Sequence, residues 1–147
     1  MIRFRESVEI DSDPERVFIV VSNISTIPEF WHGTRELSGG PPDVYRIRFA
    51  FPRTGTVRFS MGEGGRFETH YLTGPIKGMK VEEVSGEGGR TRLSSTWEVS
   101  LSLYLRLFEG GRIAEHFRTG TRHALMRIKH ECERASAESG VLSPESH

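Results

Sequence analysis

Between positions 44 and 101, apolar and polar residues alternate in run after run, and glycine-bearing breaks separate the runs. The runs cover 44–51, 56–61, 66–73, 79–85 and 91–101. The breaks at 52–55, 62–65, 74–78 and 86–89 are short enough to be hairpin turns. Successive hairpins make an antiparallel meander, and such a sheet has one apolar face that must be covered. Only one segment is long enough to cover it. From about Arg112 to Ala135, Ile113, Phe117, Thr121, Ala124, Leu125, Ile128 and Cys132 recur at spacings of three and four, the period of a helix.

The first third of the chain supplies the remaining parts. Residues 2–10 alternate as a half-buried strand, with Ile2, Phe4, Val8 and Ile10 on one side and Glu6 among them. Asp13-Pro14-Glu15 is a helix start, with Asp13 as N-cap and Pro14 at the first helical position. Val17, Phe18, Val20, Val21 and Ile24 give that short helix its buried side. A second short turn is expected over 27–31, capped by Thr26 and ended by Gly33. A weak strand over 35–38 and a turn over 39–42 follow, and 101–108 reads as strand end or loop. The sum is an α+β chain: a six- or seven-stranded antiparallel sheet curved around a long C-terminal helix, with two short helices after the first strand. One domain over 1–135 and a flexible tail over 136–147 are expected.

Composition removes several functional classes. The chain has 147 residues, 35% hydrophobic and 27% charged, which suits a globular domain. Twenty Lys and Arg balance twenty Asp and Glu, so no general nucleic-acid binder is expected. One cysteine, Cys132, excludes an internal disulfide and a multi-cysteine zinc site, and makes a reducing, cytoplasmic setting the default. The first ten residues lack the apolar core of a secretory signal, and no apolar stretch is long enough to enter a membrane as a span. The glycine runs 62–65 and 86–89 do not open helices, so they are turns and not phosphate loops. No nucleophile elbow and no His-Glu-x-x-His motif occurs, and no metal or other cofactor is expected.

Strand parity identifies the side chains aimed at the helix: Phe49, Phe59, Phe67 and Tyr71, then Met79 and Val81, then Ser95 and Trp97. The opposite parity carries Arg46, Arg58, Glu68, Lys80, Glu82 and Glu98, and is expected to face solvent. A curved sheet gripping one helix encloses either a packed core or a ligand cavity, and aromatic residues suit both.

The segment Val8-Glu9-Ile10-Asp11-Ser12-Asp13-Pro14-Glu15-Arg16-Val17-Phe18 resembles the N-terminal signature of the START-like (SRPBCC, helix-grip) superfamily. Val21-Ser22-Asn23, then Pro28 and Trp31, continue the likeness, and Leu125, Ile128, Lys129 and Glu133 resemble the end of that superfamily's last helix. The order of elements agrees over residues 1–135, in particular with the polyketide cyclase/dehydrase and lipid-transport-like branch. The resemblance implies a hollow between sheet and helix for a hydrophobic or amphipathic small molecule such as a lipid, quinone or polyketide. Some members act on the bound molecule as cyclases or dehydratases, and others bind a partner protein with a filled interior, so the fold alone leaves the function open.

The expected ligand contacts are Trp31, Phe49, Phe59, Phe67, Tyr71, Trp97 and Phe117, with Tyr71, Ser95 and Glu6 as polar contacts. Glu6 is the sharpest ionisable candidate, because a carboxylate on an apolar face needs either a partner or a function. Its plainer reading is pairing with an arginine. His32 follows Trp31 near the expected mouth. His116, His123 and His130 form, with Arg112, Thr119, Arg127 and Arg134, a polar stripe read as a solvated helix back or a strip for an acidic partner or lipid headgroups. Their spacing forbids a shared metal ion. Leu101, Leu103, Leu105 and Leu107 suggest a lid or membrane-touching loop, or simply the last strand running on. Gly120, inside the helix, costs roughly 1 kcal/mol relative to Ala, so either something approaches the backbone there or the helix bends.

Overall fold

In the computed structural model, which describes residues 1–39, 44–50, 53–109 and 111–142, the side chains are described for all of these except 108, 109, 111 and 138–142. Strand β1 (Ile2–Ile10) is followed by α1 (Pro14–Val21), a 3-10 turn (Ile24–Thr26) and α2 (Ile27–Phe30). Six strands come next: β2 (Thr34–Ser38), β3 (Val44–Phe49), β4 (Thr54–Gly62), β5 (Arg66–Thr73), β6 (Ile76–Glu87) and β7 (Arg90–Leu101). Two helices end the chain, α3 (Leu103–Glu109) and α4 (Gly111–Leu142). The strands form one seven-stranded antiparallel sheet in the order β1-β7-β6-β5-β4-β3-β2. The meander expected from the glycine breaks is present, and β1 adds to its far edge beside β7. Phe51 and the 40–42 part of the Gly-Pro turn lie outside the described residues.

Asp13 and Thr26 occupy the N-cap positions of α1 and α2, but neither side chain makes a capping bond. Asn23 does cap, accepting from the Ser25 backbone N–H ahead of the 3-10 turn. The segment expected to be strand end or loop is helix α3. Ser102 turns the chain there: its N–H donates to the Pro75 carbonyl, its carbonyl accepts from Arg106 N–H, and its hydroxyl accepts from Leu105 N–H. A serine at a helix start satisfies donors that a continuing strand would leave to its neighbour. Leu105 is buried, while Leu103, Tyr104 and Leu107 face outward.

Helix α4 lies over the concave face and runs through Leu142, beyond the Ala135 end expected from periodicity. Leu125, Ile128 and Cys132 are buried on its inner side. Burial pushes the Cys132 thiol up to about 11, consistent with a small packed hydrophobe. The polar residues of the same stretch fasten the helix to the end of β1. Lys129 donates to the Glu9 carbonyl (2.8 Å) and pairs with Glu133 (2.6 Å), and Glu133 accepts from Asp11 N–H (2.9 Å). Ser136 donates to Ser12, whose carbonyl accepts from Thr91. These bonds fasten the C-terminal half of α4 to the end of β1, and a hollow opens between the sheet and the part of α4 before it. None of the described helices is long and apolar enough to cross a membrane.

Candidate functional site

A hollow of about 400 Å³ opens where sheet and helix diverge. Its sheet wall is Phe49, Tyr71, Ile76, Lys80 and Trp97. Its lip is Trp31, His32, Gly33, Thr34 and Ala50, and α4 contributes His116, Phe117, Thr119, Gly120, His123 and Arg127 among others. The aromatic rings make a continuous surface. Tyr71 stacks on Trp97 (centroids 5.8 Å apart), and Phe49, Trp31 and Phe117 meet these two at 6.3, 6.4 and 5.3 Å.

Five of the expected contacts therefore come together: Trp31, Phe49, Tyr71, Trp97 and Phe117. The other four lie elsewhere. Phe59 and Phe67 stack on each other at 5.7 Å within the core. Ser95 is fully buried and donates to Glu82 (2.8 Å). Glu6 keeps the inward parity expected of it, but α4 reaches it with two arginines, Arg118 at 3.4 Å and Arg122 at 3.0 Å. It is an arginine-paired carboxylate outside the wall of the hollow.

The parity expected for β6 is overturned. Lys80 and Glu82 are not on the solvent face; they are 4% and 1% exposed. The register pairs Lys80 with Trp97 and Glu82 with Ser95, so the even-numbered residues of β6 point inward. Met79 and Val81 share the outer face with Glu98 and Thr96. Glu83 thereby falls on the outside, where Arg66 approaches it at 3.7 Å. His70 also faces out and accompanies Glu68 there at 2.9 Å.

Lys80 is the ionisable group that the hollow does contain. Its ammonium lies 3.3 Å from the Trp31 ring centroid and 5.5 Å from that of Trp97, a cation–π clamp. Glu82 stands behind it at 3.6 Å. Burial pushes the Lys80 ammonium down and the Glu82 carboxyl up, and their mutual attraction offsets this only in part. Burial also raises the Tyr71 phenol, with Glu82 adding to the effect. Trp97 Nε1 and Thr69 Oγ1 are buried on the Lys80 rung of the sheet with no hydrogen-bond partner among the described residues.

The two sides of the mouth answer other open readings. His32 Nε2 lies 3.0 Å from the Glu29 carbonyl, which fixes the ring at the lip. On α4, His116, Thr119, His123 and Arg127 of the expected solvated stripe line the hollow instead. A Cβ built on Gly120 would meet nothing within 4 Å, so this glycine leaves space at the mouth and no neighbour demands it. Among the described residues no group of three or more His, Cys, Asp or Glu is placed to hold a metal ion.

No protein-family model and no curated protein matches the sequence. Solved structures do match the fold. A conserved protein from Geobacillus kaustophilus superposes with a TM-score of 0.77 at 12% identity, covering 90% of this chain and 96% of that one. A START superfamily protein from Mycobacterium smegmatis gives 0.71 at 14% identity, with 90% and 98% covered. The Zhui aromatase/cyclase from Streptomyces sp. R1128 gives 0.68 at 16% identity, with 90% and 93% covered. The chain thus has the START-like, helix-grip fold that its N-terminal signature and last helix resemble. At these identities the likeness is one of fold.

Proposed function

We propose that this protein binds, and in doing so carries or stores, a hydrophobic or amphipathic small molecule of the lipid, quinone or polyketide kind in the hollow between sheet and α4. The observation that carries the reading is the joined aromatic wall of Trp31, Phe49, Tyr71, Trp97 and Phe117 around about 400 Å³. That volume lies within the range of small-molecule sites, which are mostly apolar with a few placed polar groups. Tyr71 and Lys80 are those groups here. A second reading, acid–base chemistry of the cyclase or dehydratase kind, is favoured by one observation: a buried lysine–carboxylate pair reaches the hollow at Lys80.

Native mass spectrometry of the purified protein, with titration of the neutral fluorophore N-phenyl-1-naphthylamine, tests the first reading. Gly120→Leu is the control, since its Cβ sits in open space and leucine favours a helix more than glycine does. Low-micromolar binding in the wild type and at least tenfold weaker binding in the variant are expected. Absence of any bound molecule and of any fluorophore binding would overturn the reading. A co-purifying molecule recovered chemically unchanged after incubation favours carriage, and its Lys80-dependent conversion favours the second reading.

A further inference from the structure

The ionisable groups on the wall of the hollow are basic in type, although the chain as a whole balances twenty Lys and Arg against twenty Asp and Glu. Lys80, Arg127, His32, His116 and His123 line it, and among the described residues no Asp or Glu does. These groups divide into two kinds. Lys80 sits at the inner end and is already answered by Glu82 at 3.6 Å and by the faces of two indole rings. The mouth has no such answer. Arg127 spends one N–H on the Phe30 carbonyl (2.8 Å), and among the described residues no carboxylate lies within ion-pair distance of it. Neither His116 nor His123 has a hydrogen-bond partner among the described residues, and both are exposed. Spaced four residues apart along α4, Thr119, His123 and Arg127 present donors on one helix face. Gly120 keeps the space beside them clear.

Several other arginines of this protein are matched with carboxylates. Arg118 and Arg122, on the next face of the same helix, hold Glu6, and Arg48 and Arg92 hold Glu36 and Glu9. Arg127 has no such partner among the described residues, and it stands at the opening of a cavity. Resting on the reading that the hollow binds an amphiphile, we propose that its occupant carries an anionic head, a carboxylate or a phosphate, held at the mouth by Arg127 and His123 with His116 beside them. The apolar tail points inward over Trp97 and Tyr71. A planar guanidinium with free N–H groups suits either oxyanion through paired charge-assisted bonds.

Displacement of N-phenyl-1-naphthylamine by decanol, decanoate and decyl phosphate, each below its micellar concentration, tests this. The three share one tail and differ in the head. At 20 mM salt at least one of the two anions is expected to bind tenfold or more tighter than the alcohol. That advantage should shrink several-fold at 500 mM salt, where charges at an open mouth are screened. Arg127→Met and the double change His116→Gln/His123→Gln should each cut the anion's advantage and leave decanol binding within about twofold. Because Arg127 also bonds to α2, Arg127→Lys serves as the folded control, keeping the positive charge and part of the preference. Tighter phosphate than carboxylate identifies a phospholipid-like head, and the reverse a free carboxylic acid. Equal binding of alcohol and both anions, or a preference untouched by both substitutions, overturns the proposal. Loss of fluorophore binding itself would strike the underlying reading instead.

Discussion

Two carboxylates stand on the same rung of the sheet and meet opposite fates. Glu6 on β1 is the register partner of Ser95 on β7, and Ser95 is the partner of Glu82 on β6. All three side chains point to the concave face. Glu6 is near the sheet edge, where α4 passes close enough for Arg118 and Arg122 to reach it while keeping contact with water. Glu82 is on the third strand from that edge, beyond the reach of any guanidinium on α4 that is described, and among the described residues it is met by Lys80 and the Ser95 hydroxyl. Position across the sheet, more than residue type, decides whether an inward carboxylate becomes a solvated tie or a buried pair beside the hollow.

The largest test of this contrast removes the cation from the buried pair. Lys80→Met leaves Glu82 buried and unmatched, and breaking one side of such a pair costs about 3–5 kcal/mol at pH 7, measured by urea unfolding. The double change Lys80→Met/Glu82→Leu should recover most of that, because replacing a buried pair with apolar groups is near neutral. A single variant as stable as the wild type would mean that Lys80 is not charged in the fold. For the edge carboxylate the expectation is several-fold smaller. Glu6→Gln keeps the shape and loses two partly solvated ion pairs, for a cost of about 1 kcal/mol in the same assay. An equal loss in both variants would break the contrast.

Why one of these sites was legible in the sequence and the other was not follows from the strands themselves. In β1 the apolar set Ile2, Phe4, Val8 and Ile10 is unambiguous, so Glu6 had only one face to occupy. In β6, Ile76 and Val84 have one parity, and Met79 and Val81 have the other. Alternation cannot choose between them, and a start at Met79 chose wrongly. The deciding signal lay in the turn. Glu87 pairs with Arg90 across Gly88 and Gly89, a two-residue hairpin loop. Such a loop fixes the register, and Trp97 and Leu93 are plainly inward on β7. Counting back from Gly88-Gly89 sets Lys80 opposite Trp97 and Glu82 opposite Ser95. The overall fold was legible because it depends on the number and order of alternating runs, which a one-residue slip does not alter. The mouth was less so: whether the 116–127 stripe of α4 faces solvent or a hollow depends on how far the sheet diverges from the helix, which no local pattern encodes.

A third carboxylate, Glu133, is smaller in effect and separates charge from shape. It sits on the same α4–β1 seam as Glu6, but takes a backbone donor as well as a cation. The Asp11 N–H and then the Lys129 ammonium hold its carboxyl below the ordinary 4.5. A carboxyl lowered in the fold stabilises it above its unfolded value, and that contribution fades as pH falls through the lowered folded value. Glu82, held above the ordinary range by burial, has the opposite sign: its protonation favours the fold. Glu133→Gln should therefore lose less than about 1 kcal/mol at pH 7, since the pair is a quarter exposed, and progressively less as the pH falls below the ordinary carboxylate range. Urea midpoints of variant and wild type should converge as the pH drops below 4.5. A gap that stays constant with pH would assign the seam's strength to packing and hydrogen-bond shape, and would place Glu133 with neither of the other two carboxylates.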